Sequence, residues 1–182
     1  DPNPTTHTPP AILNPRAYAR AMPNPNAHLT PRSEVIPAGA VAPDFTLPTQ
    51  NRGEEWTLSQ ALKKGDVVIS FFPMAFTGVC TTEMVCISKE LAVYTSRDAQ
   101  IVGLSTDTSP TLKAWGDQLG LKQPLLADTH RSVCKAYGLY WPDLNVTWRG
   151  TVIVGRDGKV KWSQKRDPGQ AFTQDELIEA LS

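Results

Sequence analysis

From Ala42 onward, short apolar runs alternate with turn residues and with stretches of helical spacing, the pattern of an α/β domain. DFTL (44–47) and EWTL (54–57) alternate apolar and polar positions around Asn51-Arg52-Gly53, which predicts a hairpin. VVISFF (67–72) is continuously apolar, as a strand covered on both faces must be, and QIVGLS (100–105) and PLLAD (124–128) read as further strands. Met84, Val85, Ile87, Leu91 and Ala92 form an apolar stripe at helical spacing and predict a helix over 77–94. Thr108-Ser109-Pro110 is a cap followed by a first-turn proline, opening a helix through Leu119, and another runs from about His130 to Tyr137 before Gly138 stops it. TVIVG (151–155), the turn Arg156-Asp157-Gly158 and KVKWSQ (159–164) predict a last hairpin. Thr173 with Glu176 is a capping box that opens a helix from Gln174 to Leu181.

The first 38 residues break this pattern. Nine of the 16 prolines lie between Pro2 and Pro37, a density that blocks helix interiors and central strands. Residues 1–38 therefore read as a Pro-rich N-terminal extension, a solvated linker, with a docked helical turn at Arg16 to Met22 as the alternative. Residues 39–182 read as one domain. The 182 residues carry 18 Lys plus Arg against 18 Asp plus Glu, so no long-range field favours nucleic acid as a partner. No apolar run approaches the roughly 20 residues that span a bilayer, so no membrane segment is expected. The cytoplasm is the expected compartment, with a cleaved presequence left open because the chain begins at Asp1. The three cysteines, Cys80, Cys86 and Cys134, are an odd number, so a monomer keeps at least one free thiol.

In FFPMAFTGVCTTEM (71–84) a buried strand ends at Pro73, a loop follows, and Cys80 falls in the first turn of the next helix. A helix N-terminus offers unsatisfied N–H groups and about half a positive charge, both of which favour thiolate. Such settings bring a cysteine from its ordinary pKa of about 8.5 to between about 3.5 and 7.5. Thr77, three residues earlier, can donate to the sulfur or to a bound oxygen. Pro73 fixes the backbone and adds no competing N–H. A lone cysteine beside an apolar strand is otherwise a small buried hydrophobe; the order strand, Pro, Thr, Cys, helix argues for chemistry instead.

Pro73-xxx-Thr77-xx-Cys80 resembles the active-site motif of the peroxiredoxins, thiol peroxidases on a thioredoxin-like fold. The similarity runs from APDFTL near residue 42 through FFPMAFTGVC and YGL (137–139) to WRGTVIVGRDGKV (148–160), and the FFP-x-AFTG-x-C form is closest to the one-cysteine AhpE-like group. The resemblance implies an α/β thioredoxin-like fold with a mixed central sheet flanked by helices. It also implies reduction of hydrogen peroxide or organic hydroperoxides through a sulfenic acid on Cys80. Arg149 would stabilise the thiolate and the leaving oxygen, Thr77 would bond the peroxide, Pro73 would shield the sulfur, and Glu83 would orient Arg149. Taken alone, Arg149 is a solvated arginine and Glu83 a plain helix carboxylate. The sulfur itself carries the redox change, so no metal, haem or flavin cofactor is implied, and the family's habit suggests a homodimer.

Cys86 lies six positions after Cys80, about 120° round the helix and nearly two turns away, too far to bridge without unwinding. Cys86 and Cys134 are both read as packing residues, which leaves an external thiol to reduce Cys80. A copper-carrying thioredoxin-like protein, holding metal with Cys80, Cys86 and His130, is the alternative from another class, and the six-residue spacing argues against it. His7 and His28 lie in the extension. A non-catalytic partner-docking module is the other alternative, and it predicts an unreactive Cys80.

Overall fold

The computed structural model describes residues 23–181, so the helical turn considered at Arg16–Met22 and the tail histidine His7 lie outside the described residues. A five-stranded mixed sheet forms the centre. Its middle strand β3 (Asp66–Phe71) pairs in parallel with β4 (Ala99–Ser105), which pairs in parallel with β5 (Leu125–Ala127). On the other side β3 pairs antiparallel with β8 (Arg149–Val154), and β8 with the edge strand β9 (Val160–Arg166). The apolar run of β3 has the reason expected of it. Val67, Ile69 and Phe71 enter one core, Val68 and Phe72 the other, so both faces are covered.

Two small antiparallel pairs flank the sheet: β1 (Thr46–Pro48) with β2 (Glu55–Thr57), and β6 (Tyr140–Trp141) with β7 (Val146–Thr147). The first is the expected hairpin, although its second arm turns directly into α1 (Leu58–Leu62), which the spacing did not predict. Thr108 caps α4 (Ser109–Leu119) by accepting from Thr111 N, with proline at the helix start as expected. The capping box of Thr173 and Glu176 opens α6 (Gln174–Ala180). Helix α5 (Ser132–Ala136) starts two residues later than the sequence suggests, because Arg131 holds a left-handed φ of 60°.

The helix expected over 77–94 is two helices. α2 (Gly78–Lys89) and α3 (Leu91–Thr95) meet at Glu90, whose φ of −114° and ψ of 18° leave the helical region. The break lets Tyr94 reach the second core, while Ala92 faces solvent and Val85 is only half-buried. The buried stripe of α2 is Cys80, Glu83, Met84 and Ile87, which is one helical face with a carboxylate in its middle.

The solvated linker expected through residue 38 is, over 23–38, a strap laid on the domain. Asn26 is buried and acts as a strand fragment: its Nδ2 donates to Thr46 O at 2.8 Å and its Oδ1 accepts from Thr46 N at 3.1 Å. Arg32 N donates to Lys135 O, Ile36 N to Tyr137 O, and Ser163 Oγ to Ile36 O, with Ile36 fully buried in the first core. A Pro-rich extended chain makes few hydrogen bonds to itself, so its remaining N–H groups are free for the domain. At Gly138, with φ of 70°, an added Cβ would stand 1.8 Å from Glu34 O. Gly138→Ala is therefore expected to lower stability by at least about 2 kcal/mol, roughly 4–8 °C in Tm for a chain of this size. Gly158→Ala, also at positive φ but with nothing within 4 Å, should cost only the backbone strain of about 1–2 kcal/mol. Equal thermal shifts for the two variants would show that the strap does not press on Gly138.

Candidate active site

Where β3 leaves the sheet, hydrogen bonds fix the loop from both sides. Phe72 N donates to Leu104 O at 3.0 Å, and Thr147 Oγ1 donates to Phe72 O at 2.7 Å. Pro73 follows, buried and without an N–H to satisfy. Ala75 N then donates to Asp107 Oδ2 at 2.9 Å, the same oxygen that accepts from Ser105 Oγ at 2.8 Å. Phe76 takes a left-handed φ of 62°, an uncommon conformation for a bulky residue. Thr77 turns extended as the N-cap of α2, and its hydroxyl donates to Met74 O at 2.9 Å, not to the sulfur.

Cys80 sits in the first turn of α2 and is 1% exposed. Arg149, the first residue of β8, reaches it from the sheet: Nη2 lies 3.1 Å from Sγ. The guanidinium is itself held at two further points, by Pro168 O, which accepts from Nε at 2.9 Å, and by an ion pair between Nη1 and Glu83 Oε2. The other oxygen of Glu83 pairs with Arg166 Nη2 at 3.1 Å and accepts from Phe172 N at 3.4 Å. Arg166 Nη2 also donates to Thr151 Oγ1 at 3.0 Å. Burial is the larger influence on Glu83 and raises its carboxyl above the usual range, with Arg149, Arg166 and the Phe172 N–H pulling the other way. Burial likewise lowers Arg166, opposed by Glu83.

The structure thus brings Cys80, Glu83 and Arg149 into direct contact, with Pro73 in the preceding loop and Thr77 one turn before the sulfur. Arg166 was missed. The hairpin β8–β9 sets Arg149 opposite Arg166 in its register, so the signal was present in the turn Arg156-Asp157-Gly158, but the strand expected there stopped at Gln164. Asp107 and Thr147, which tether the loop through its backbone, had no sequence signal.

Cys86 is a correction. It is exposed, not a packing residue, because α2 buries the face of Cys80, Glu83, Met84 and Ile87 and Cys86 falls outside it. Cys134 is buried as expected; its N–H donates to Asp128 Oδ2 at 2.8 Å and its thiol to Arg131 O. Burial and the Asp128 carboxylate push that thiol up, and burial pushes Asp128 itself up to about 6 against the N–H groups of α5. His28 and His130 are exposed, and among the described residues no group of three or more His, Cys, Asp or Glu is arranged to hold a metal. With Cys80 buried and Cys86 on another face, the pair of sulfurs that copper would need is not assembled.

Residues 38–163 match the AhpC/TSA family. The chain is 34% identical over 150 residues to alkyl hydroperoxide reductase E of Mycobacterium tuberculosis, covering 81% of this chain and 97% of that one. It is 30% identical over 152 residues to a chloroplastic 2-Cys peroxiredoxin of Hordeum vulgare, covering 79% and 72%. Among solved structures, reduced 2-Cys peroxiredoxin of Plasmodium vivax superposes with a TM-score of 0.74 at 27% identity, covering 79% of each chain. Peroxidoxin BcpB of Mycobacterium tuberculosis gives 0.71 at 27%, covering 79% of this chain and 95% of that one. The chain belongs to the AhpC/TSA family, the peroxiredoxins. It is accordingly an enzyme of thiol-dependent peroxide reduction on a thioredoxin-like fold.

The two outlying thiols should separate by simple labelling. Iodoacetamide added to native, reduced protein is expected to modify Cys86 and to leave Cys134 untouched until the chain is unfolded. Peptide mass mapping of Cys134 labelled as fast as Cys86 in the native protein would contradict its burial.

Proposed function

We propose that Cys80 is the peroxidatic nucleophile and that this enzyme reduces hydroperoxides by a one-cysteine cycle. The observation that carries the reading is the contact of 3.1 Å between Arg149 Nη2 and a buried Sγ. The Cys80 thiolate attacks the terminal oxygen of the hydroperoxide; an S–O bond forms as the O–O bond breaks, and the leaving oxygen takes a proton to depart as water or an alcohol. Arg149 faces the charge that moves from sulfur to the leaving oxygen, and Glu83 and Pro168 O keep its guanidinium oriented. Thr77, whose hydroxyl proton is committed to Met74 O, keeps its lone pairs for the O–H of the peroxide. Pro73 shields the sulfur side of the loop.

The sulfenic acid on Cys80 is then reduced by an external thiol. Six residues of helix separate Cys86 from Cys80 by about 9 Å of rise, beyond the Cα spacing of a disulfide, and Cys134 is buried on another helix. The reading includes a homodimer, after the habit of the family, a reducing compartment such as the cytoplasm, and a catalytic domain over 39–182 carrying its Pro-rich extension.

Cys80→Ser is expected to abolish hydroperoxide consumption while the fold is kept, because an alcohol provides no accessible anion near pH 7. Arg149→Ala should slow the peroxide step by one to three decades, about 1.4–4 kcal/mol. Stopped-flow oxidation of the reduced proteins reads both, and parent rates in either variant would remove that residue from the mechanism. After one equivalent of peroxide, a sulfenate-trapping reagent should add its mass at Cys80. A stoichiometric disulfide from Cys80 to Cys86 or Cys134 would end the one-cysteine reading.

A further inference from the structure

Of the described non-glycine residues at a left-handed φ, Phe76 is the only apolar one; Asp98, Arg131 and Asn145 are polar. A bulky side chain there is strained and persists only where its surroundings impose the conformation. Burial does not impose it. Phe76 is 55% exposed, its ring centroid lies 6.4 Å from that of Trp115, and Met74 in the same loop is exposed as well. The backbone is held by hydrogen bonds instead. Thr77 Oγ1 donates to Met74 O and closes the loop on itself, while Ala75 N, one residue before the strain, donates to Asp107 Oδ2 at 2.9 Å. Asp107 is a fixed acceptor. It stands between β4 and Thr108, the N-cap of α4, and its own N–H donates to Ser105 Oγ at 3.1 Å. Ser105 is fully buried and returns its hydroxyl proton to Oδ2 at 2.8 Å, so the carboxylate is held from both sides of its own turn. A bond accepted by an ionised carboxylate is stronger than one between neutral groups.

The tethered loop ends at Thr77, the N-cap of α2, three residues before Cys80. We infer that Asp107 is a positioning residue for the peroxide step: by holding Ala75 N it keeps Phe76 in its left-handed conformation and so sets Thr77 Oγ1 and the first N–H groups of α2 where the peroxide meets Sγ. This rests on Cys80 being the reacting sulfur. Arg149 reaches that sulfur from β8 and not through the loop. Loss of the tether therefore disturbs the geometry of the encounter and leaves the contact between guanidinium and sulfur in place. A misplacement of about 1 Å in a reacting site can cost about two decades in rate.

Asp107→Ala and Asp107→Asn test it together, since both lose the carboxylate charge and only Asn keeps an acceptor for Ala75 N. In stopped-flow oxidation of the reduced proteins, well below the Tm of each, Asp107→Ala should react with hydrogen peroxide about tenfold or more slowly than the parent. Asp107→Asn should recover most of the rate. Alkylation of Cys80 against pH, read by peptide mass, should give the two variants the same midpoint. A role confined to stability lowers Tm and moves neither rate. Amide exchange supplies an arm that needs no chemistry at Cys80. The Ala75 N–H should exchange at least about tenfold faster in Asp107→Ala than in Asp107→Asn, while the Phe72 N–H, bonded to Leu104 O, keeps its parent rate. If Asp107→Ala does not fold, Ser105→Ala takes its place, with a smaller effect in the same direction on both rates; parent values there overturn the proposal. Equal peroxide rates for the Ala and Asn variants overturn it too, as does a midpoint that separates them or an Ala75 N–H whose exchange ignores the acceptor. A parent protein whose Cys80 is inert to peroxide would defeat the Cys80 reading instead, since the exchange arm still reports the tether.

Discussion

The arrangement depends on one carboxylate buried between two arginines. The register of β8 and β9 puts Arg149 opposite Arg166, and like charges facing each other across a strand pair repel. Both are withdrawn from water, which costs several kcal/mol per ion unless a counter-charge follows. Glu83 supplies it with both oxygens, one to each guanidinium. Because Glu83 stands in the middle of the buried face of α2, the same contacts that neutralise the sheet dock the helix on it. Cys80, three residues before Glu83 on that face, is carried to Arg149 Nη2 as a geometric consequence. Removing one partner from a buried pair generally costs about 3–5 kcal/mol, so site and fold share a single point of dependence.

The parts of the molecule that were legible from sequence are those governed by local rules. A strand covered on both faces must be apolar throughout, so β3 and β4 announced themselves, and the caps at Thr108 and Thr173 are local devices that need no tertiary knowledge. Cys80, Arg149 and Glu83 were found through the motif and its resemblance, since nothing in local spacing tells a buried arginine from a solvated one. The misreadings have tertiary causes. Glu83 is polar, so apolar spacing alone favours Val85 and Ala92 over the face that α2 buries, and it puts Cys86 inside when it lies outside. The break at Glu90 serves the burial of Tyr94, a demand made by the second core and invisible in the helix itself.

The strap is hidden from composition for a related reason. Proline density excludes helices and central strands, but it does not exclude an extended chain that hydrogen-bonds to a neighbour. Residues 24 to 36 run past α5, Tyr137 and β9, joining the element that buries Cys134 to the strand that carries Arg166. Ile36 fills the first core, so this part of the extension belongs to the domain energetically even though composition separates it.

The charge count of the site links its structure to its chemistry. With Glu83 ionised, two guanidiniums and one carboxylate leave one positive charge in a dry enclosure, where interactions between charges are stronger than in water. In the proposed cycle one anion completes it, the attacking sulfur first and the leaving oxygen after it. In the same proposed cycle a sulfenic acid on Cys80 would be neutral and would leave Arg149 held by Glu83 and Pro168 O alone. The first turn of α2 contains no acidic residue and its N-cap Thr77 makes no side-chain cap bond, so no carboxylate of that turn offsets the Arg149 charge. The proposed cycle therefore uses the contact between Arg149 and Cys80 at the step where negative charge crosses from sulfur to the leaving oxygen.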